Sequence, residues 1–318
     1  MRLKEVYMAN GTKKRPPIKV YLISLLAIIL WSMSYLWSDK LIRLNIPVEF
    51  FIFVRILLAG LILLVYNLIR GHSIHIHKKH VWYFLLLSFF EPFIYFVCET
   101  HGIELTESPT FSALIIATAP IFSVAAGRIF FKERISFINV IGIMVCLSGI
   151  AMVTMTNDSL ADTFIFGLIL LLIAILAEVG HATVTKFISE DYRPEVIVMY
   201  QFLFGSVMLA PLFFTKGIQN FDPATYLSWD AISSVVCLAV FCSSMAFSLW
   251  VNTIKELGVA KSSIFMAIIP VFTAIDGWIL GQEILTLGQW FGIAIACLGV
   301  ILTQCVFKKP KFNQVIKL

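Results

Sequence analysis

An all-α integral membrane protein is the fold class that this sequence of 318 residues predicts. Hydrophobic residues make up 59% of the chain and charged residues 14%, whereas soluble proteins average roughly 45–50% and about 25%. The mean hydropathy is +0.92. The apolar residues fall in ten long blocks with the charges between them, each near the ~20 residues that a membrane-spanning helix needs. These charges are too few to cover the surface of a water-soluble enzyme.

The ten apolar blocks predict ten transmembrane helices, and the distribution of basic residues supports that count. Lys and Arg accumulate on the cytoplasmic side of membrane proteins. With a cytoplasmic N-terminus, the two sides carry 20 and 3 of these residues, and Arg55 lies within a span. We therefore expect an uncleaved first span, two cytoplasmic termini and a location in the cytoplasmic membrane. The predicted spans are 20–38, 48–69, 81–100, 108–130, 137–156, 164–185, 196–215, 231–251, 261–281 and 287–306.

The two halves of the chain repeat each other. At an offset of 150 residues, Pro120 aligns with Pro270 and Glu133 with Glu283, and several Ser, Ala, Phe and Gly positions also match without a gap. Each half holds five spans, and because five is odd, the second half must enter the membrane from the opposite face. This is the inverted-topology repeat of many secondary transporters. The predicted segments are a basic N-terminus (1–19), two five-helix repeats (20–156 and 164–306) and a tail (307–318).

These motifs resemble the drug/metabolite transporter superfamily, specifically its ten-helix exporters built from two EamA-type repeats. The resemblance runs from about residue 20 to residue 306 and implies the fold and the transporter class. It leaves the substrate open, because the superfamily moves amino acids, nucleobases, polyamines, sugars and drugs. In the second half, Ala177 followed by Glu178 replaces Trp31, so the halves offer a cavity unequal chemistry. The residues that carry the resemblance are Ile29, Leu30, Trp31, Lys40, Pro47, Arg55, Ala59, Pro120, Glu133, Gly142, Gly149, Pro270, Gly281, Glu283, Thr286, Gly292 and Gly299.

Polar residues inside the predicted spans indicate a cavity. An ionisable side chain at the centre of a bilayer costs roughly 2.5–3.5 kcal/mol and normally faces a bundle interior or water. With a helical period of 3.6, polar residues form a stripe on one face of the third, sixth and ninth spans. Three such stripes converge most simply on a central cavity. The stripes are Glu91, Tyr95 and Glu99; Glu178, His181 and Thr185; and Thr273 and Asp276.

The resemblance further implies that the first four helices of each repeat line the cavity and that the fifth is peripheral. Glu91, Glu178 or Asp276 could then carry protons. Other interpretations stay open: a structural ion pair of Arg55 with Glu91 or Asp276, and a packing role for His181. Glu99 is read as a solvated interfacial charge, and Glu133 and Glu283 as residues with a topological or an interhelical bonding role. The expected lining is Trp31, Arg55, Glu91, Tyr95, Thr118, Glu178, His181, Gln201 and Asp276.

The function that we expect is secondary transport of a small metabolite by alternating access between the two sides of the membrane. At mid-depth in the spans, three carboxylates (Glu91, Glu178 and Asp276) stand against the guanidinium of Arg55, which favours a neutral, zwitterionic or cationic substrate such as an amino acid, an amine or a drug. Only the resemblance indicates export. An intramembrane transferase and a channel or lipid scramblase are the alternatives. No Walker A pattern is present, so ATP is not the expected energy source.

We expect no cofactor other than coupled protons, no bound metal and no nucleic acid. The expected partners are the small-molecule substrate and the lipid bilayer, and both a monomer and a homodimer are open. The six cysteines lie in or beside apolar blocks and are read as small buried hydrophobic residues. One loop carries four histidines that could hold a metal, but Lys78 and Lys79 among them would repel a cation, so a solvated loop is favoured. The histidines are His72, His75, His77 and His80.

Overall fold

The computed structural model of the chain describes residues 17–122, 137–154, 162–219, 222–258, 262 and 265–303. Every regular element in these ranges is helical, which confirms the predicted all-α class. The residues at either end, 1–16 and 304–318, lie outside the description, as does Glu133. The predicted N-terminal segment and tail are therefore not described, apart from residues 17–19.

Six of the described helices are long and apolar enough to cross a membrane. Four shorter apolar helices occupy the places of the other predicted spans, so their crossing of the membrane stays a prediction. A single helical turn, Pro223–Tyr226, precedes the eighth helix. In chain order the helices are α1 Ile18–Arg43, α2 Val48–Ile69, α3 Lys78–Thr106, α4 Pro109–Phe122, α5 Phe137–Thr154, α6 Asp162–Ile188, α7 Pro194–Gly217, α8 Trp229–Leu257, α9 Ile269–Ile279 and α10 Leu287–Thr303.

The third helix, α3, is broken near its middle. Glu91 has an extended rather than helical backbone, with φ −146° and ψ 118°, and Pro92 follows it within a widened turn, Phe89–Ile94. Proline has no N–H to donate and its ring displaces the preceding turn, so a break here is expected. The break sets Glu91 apart from the regular helix face, and both residues are buried.

The central helices α1, α2, α3, α6, α7 and α8 pack on one another. Helix α1 packs on α8 and α9, α6 packs on α3 and α4, and α2 packs on α7. The pair α5 and α10 lies to one side, with its other main contacts to α4 and α9. This arrangement places the polar faces of α1, α3 and α6 toward a shared interior.

Glycines allow α5 and α10 to approach each other closely. A Cβ atom on Gly292 would lie 2.8 Å from the carbonyl oxygen of Gly149, and a Cβ atom on Gly299 would collide with the backbone of Cys146. Real Cβ atoms do not approach backbone atoms so closely, so only glycine fits at these positions. Gly149, Gly292 and Gly299 therefore bring the backbones of α5 and α10 into direct contact.

Glu283 joins the loop between α9 and α10 to the start of α4. Its carboxylate accepts hydrogen bonds from Ser108 Oγ at 2.7 Å, from the backbone N of Thr110 at 3.2 Å and from Thr110 Oγ1. Burial raises the pKa of the Glu283 carboxyl, against the lowering effect of these hydrogen bonds. Through these hydrogen bonds the carboxylate pairs with the backbone N–H of Thr110, which the first turn of α4 leaves without a partner in its own helix. The predicted interhelical bonding role is confirmed for Glu283.

We expect the substitution Glu283→Ala to destabilise the protein by about 1–3 kcal/mol, because it leaves a buried helix N–H without an acceptor. Unfolding of the purified protein in mixed micelles would measure this effect. Glu190→Ala is the matched control, because that carboxylate is exposed and pairs only with Lys186. Equal stability of the two variants would contradict the bonding role of Glu283.

Candidate functional site

A cavity lies where α1, α2, α3, α6, α8 and α9 meet. Its wall combines carboxylates, one guanidinium, tyrosine hydroxyls and aromatic rings. The lining residues are Trp31, Ser34, Tyr35, Arg55, Glu91, Tyr95, Phe96, Glu99, Glu178, Phe247, Met266 and Ile269. A wall with both charged and aromatic groups suits a small ligand that is part polar and part apolar.

Five of the nine expected lining residues reach this wall: Trp31, Arg55, Glu91, Tyr95 and Glu178. Two further ones, His181 and Gln201, are buried directly behind Glu91, since His181 Nδ1 lies 2.9 Å from Glu91 Oε2 and Gln201 contacts the same imidazole. The structure therefore gathers seven of the expected residues in and immediately around one cavity.

The other two expected residues, Thr118 and Asp276, are not part of the described cavity wall. Thr118 Oγ1 donates to the carbonyl of Ile115 in its own helix, at 2.7 Å. Asp276 accepts from Ser32 Oγ at 2.9 Å. Ile269 on the same helix does line the cavity, but Asp276 lies seven residues further along, a rise of about 10 Å. The polar stripe of Thr273 and Asp276 predicts a helix face but does not predict how far along the helix axis Asp276 lies from the cavity.

Arg55 is a buried cation in the cavity wall, with an exposed fraction of 2%. Its Nε donates to Ser243 Oγ at 2.7 Å, and its guanidinium carbon lies 4.4 Å from the centre of the Phe96 ring. No ion pair joins Arg55 to Glu91 or Asp276, both of which the structure describes. The guanidinium is thus held by a hydroxyl and an aromatic face rather than neutralised by either predicted carboxylate.

Glu99 lines the cavity, so its interpretation as a solvated interfacial charge is wrong. Its exposed fraction is 7%, and its Oε1 accepts a hydrogen bond from the Tyr95 hydroxyl at 2.7 Å. Tyr35 from α1 belongs to the same wall. The spacing of Glu91, Tyr95 and Glu99 by four residues already placed Glu99 on the cavity face of α3.

A second polar cluster joins α3 to α6 through His181, which is fully buried. Its Nδ1 lies 2.9 Å from Glu91 Oε2 and 3.7 Å from Glu178 Oε2. Its Nε2 lies 3.3 Å from both Gln201 Oε1 and Thr185 Oγ1. His181 therefore contacts polar groups on both ring nitrogens, and a simple packing role does not describe it.

Aromatic residues form the remaining part of the wall. Trp31 Nε1 donates to the carbonyl of Cys242 at 3.2 Å, and the Trp31 ring centre lies 5.0 Å from the ring centres of both Phe247 and Trp250. These contacts hold the indole in place beside the cavity.

The profile of the "EamA-like transporter family" matches this chain twice, over residues 18–155 and 165–304. The chain belongs to the EamA-like transporter family. With six described helices long enough to span a bilayer, this EamA-like protein is a multi-pass membrane protein.

Curated relatives of this EamA-like protein are named as transporters. "Uncharacterized transporter YetK" of Bacillus subtilis (strain 168) is 25% identical over 308 residues, which cover 95% of this chain and 92% of that protein. An "Uncharacterized transporter" of Archaeoglobus fulgidus is 25% identical, over 89% of this chain and 98% of that protein. A "Probable terminal-alkyne amino-acid exporter" of Streptantibioticus cattleyicolor is 26% identical, over 60% of this chain and 62% of that protein.

A solved crystal structure shares the fold of the EamA-like chain. Its TM-score is 0.67, and the superposition covers 90% of this chain and 96% of the other at 17% sequence identity. The similarity establishes that the helices are arranged alike in the two proteins, and at this identity it carries no information about substrate.

The sequence interpretation missed several lining residues of the EamA-like protein. Ser34 and Tyr35 follow Trp31 by three and four residues, and this helical spacing could have identified them. The sequence gives no such signal for the four apolar lining residues, because apolar residues occur throughout the spans and only the packing of the helices brings these four to the cavity wall. They are Phe96, Phe247, Met266 and Ile269.

We expect Ser243→Ala to destabilise the EamA-like protein by about 1.5–3 kcal/mol, because the buried Arg55 Nε–H loses its hydroxyl partner. Ser248→Ala is the matched control on the same helix, since Ser248 Oγ only donates to the Ser244 carbonyl at 2.7 Å. Unfolding in mixed micelles compares the two variants. Equal unfolding midpoints would show that Ser243 does not support Arg55.

Proposed function

We propose that this protein is a secondary transporter that moves a small neutral, zwitterionic or cationic metabolite across the cytoplasmic membrane by alternating access. The observation that carries the proposal is the charge arrangement in one cavity. Glu91, Glu99 and Glu178 line it together with the single cation Arg55. Three carboxylates in a buried wall favour a ligand with positive charge, and they oppose phosphate esters, which Arg or Lys clusters normally bind.

An amino acid fits the wall best among the candidate substrates. Arg55 offers a guanidinium to a carboxylate, the glutamates offer acceptors to an ammonium group, and Trp31 with Phe247 offers an apolar surface to a side chain. The relative named as a probable terminal-alkyne amino-acid exporter supports this substrate class and the outward direction.

The mechanism that we propose rests on two inverted five-helix repeats. The two matches to the family profile divide the chain at the predicted boundary. The helix contacts also support it. The packing of α1 on α8 corresponds to that of α6 on α3, the packing of α1 on α9 corresponds to that of α6 on α4, and α2 packs on its own counterpart, α7. Rocking of such halves about the cavity would open it to one side at a time.

Transport assays in liposomes test the function. We expect phenylalanine and phenethylamine to show saturable uptake and counterflow, and glucose 6-phosphate to show neither. Arg55→Gln should weaken phenylalanine transport about 10–100-fold, the range expected when a charged hydrogen bond of about 1.5–3 kcal/mol is lost. Phenethylamine lacks the carboxylate that Arg55 would bind, so its transport should change little.

Arg43→Gln is the control for this assay, because Arg43 is half exposed and forms an ion pair with Asp39 of its own helix. Comparable transport of glucose 6-phosphate would overturn the charge argument. Unsaturable conductance would instead indicate a channel, and formation of a new product would indicate an intramembrane enzyme.

The inverted repeat makes a separate prediction about the loops. The loop between α2 and α3 should face the cytoplasm, and the corresponding loop between α7 and α8 should face outward. His75→Cys and Gln219→Cys place single thiols at exposed positions of these loops in a background without other cysteines. In intact cells we expect an impermeant maleimide to label Gln219→Cys and to leave His75→Cys unlabelled. Labelling of both thiols from outside would refute the inverted topology.

A further inference from the structure

We propose that Glu91, Glu178 and His181 form a binding site for a divalent transition-metal ion such as Zn²⁺. The inference concerns metal binding alone and does not depend on transport. The site joins the break in α3 to one face of α6, and two of its three members also line the cavity.

The three side chains have the spacing of metal ligands. One ligand atom from each lies within 4.8 Å of the others, and His181 Nδ1 lies 2.9 Å from Glu91 Oε2 and 3.7 Å from Glu178 Oε2. Zinc binds N and O ligands at about 2.0–2.2 Å in tetrahedral geometry, so neighbouring ligand atoms lie about 3.4 Å apart. The two measured distances lie on either side of this value.

Unsatisfied polar atoms point to a cation between these groups. Glu91 Oε2 and His181 Nδ1 are close, yet their orientation makes no hydrogen bond, and neither atom has another hydrogen-bond partner in the described structure. Glu91 is 2% exposed and His181 is fully buried. A buried polar atom without a partner is destabilising, because it has lost its hydrogen bonds to water. One metal ion would satisfy both atoms together.

Surrounding residues orient the imidazole for this role. His181 Nε2 lies 3.3 Å from Gln201 Oε1, and when this oxygen accepts the Nε2–H, Nδ1 presents a lone pair to the two carboxylates. Metal-binding histidines commonly donate their other ring N–H to a neighbouring acceptor in this way. Thr185 Oγ1 is a second polar neighbour of the same nitrogen.

The composition of the site selects the class of metal. Two carboxylates and a neutral imidazole carry two negative charges, which balance a divalent cation. Imidazole favours zinc, cobalt or nickel, whereas magnesium and calcium prefer oxygen ligands alone. Three protein ligands beside a cavity leave a fourth position for water or another ligand, as in open zinc sites.

The four histidines of the loop between α2 and α3 do not form a second group with metal-ligand spacing among the described residues. Within the described residues, the trio of Glu91, Glu178 and His181 is the group of three ligands that meets this spacing. In the loop, His72 Nδ1 lies 2.9 Å from Asn67 Oδ1 and His80 Nδ1 lies 2.8 Å from the Tyr192 hydroxyl. These contacts occupy the Nδ1 atoms of two of its four imidazoles.

Metal titration of the purified full chain in detergent micelles tests the site. After treatment with EDTA, we expect calorimetry to show one Zn²⁺ bound per chain, and Co²⁺ to give the absorption bands of tetrahedral coordination. Loss of one ligand should weaken Zn²⁺ binding by at least about 10–100-fold, the effect known for residues that only support a metal ligand. The variants that test this are Glu91→Gln, Glu178→Gln and His181→Gln. Glu178→Asp keeps the ligand type and should retain tighter binding than Glu178→Gln.

Two controls separate this site from others. Glu99→Gln removes a buried carboxylate from the same helix and cavity that is not one of the three ligands, and it should weaken Zn²⁺ binding much less than the three ligand variants do. Replacement of His72, His75, His77 and His80 by Ala should also leave it unchanged. Size-exclusion profiles establish that each variant is folded. No stoichiometric Zn²⁺ binding by the unmodified chain, binding unaffected by the three Gln variants, or binding lost with the loop histidines would overturn the proposal.

Discussion

Polar groups inside a helical membrane protein must find their partners within the protein, because hydrocarbon offers none. The chain satisfies its backbone by folding into helices, and most buried polar side chains bond to a neighbouring helix or to a carbonyl of their own helix. Ser24, for example, donates to the Val20 carbonyl at 2.8 Å and lies 3.0 Å from Thr253 Oγ1. The charged side chains around the cavity differ from these residues, because packing of the helices does not require buried charges at that place.

The break in α3 positions one of the charged groups at the cavity, the carboxylate of Glu91. Pro92 packs against α7, where a Cβ atom on Gly205 would collide with its ring. Gly205 therefore makes room for the ring of Pro92. The residue before the proline, Glu91, has an extended backbone, and its side chain lies against His181 of α6. A continuous α3 would keep Glu91 in register with Tyr95 and Glu99, away from this geometry.

The two halves of the chain contribute different groups from corresponding positions. At an offset of 146 residues, Arg55 corresponds to Gln201 and Tyr35 to His181. Arg55 bonds to Ser243 in α8, while the Gln201 carbonyl accepts from Ser88 in α3 at 2.9 Å. Corresponding positions thus carry a guanidinium and a tyrosine in the first half, and an amide and an imidazole in the second. Such asymmetry suits a ligand whose two ends differ in charge.

The sequence by itself determined the helical membrane class, the apolar segments that form the described helices and the polar stripes on α3 and α6. These features depend on composition, periodicity and local residue type, which act along the chain. Only the tertiary structure decided that Asp276 lies beyond the cavity wall and that Arg55 donates to a serine of α8. Each of these depends on the height and rotation of one helix against another, which packing sets and which a helical period does not contain.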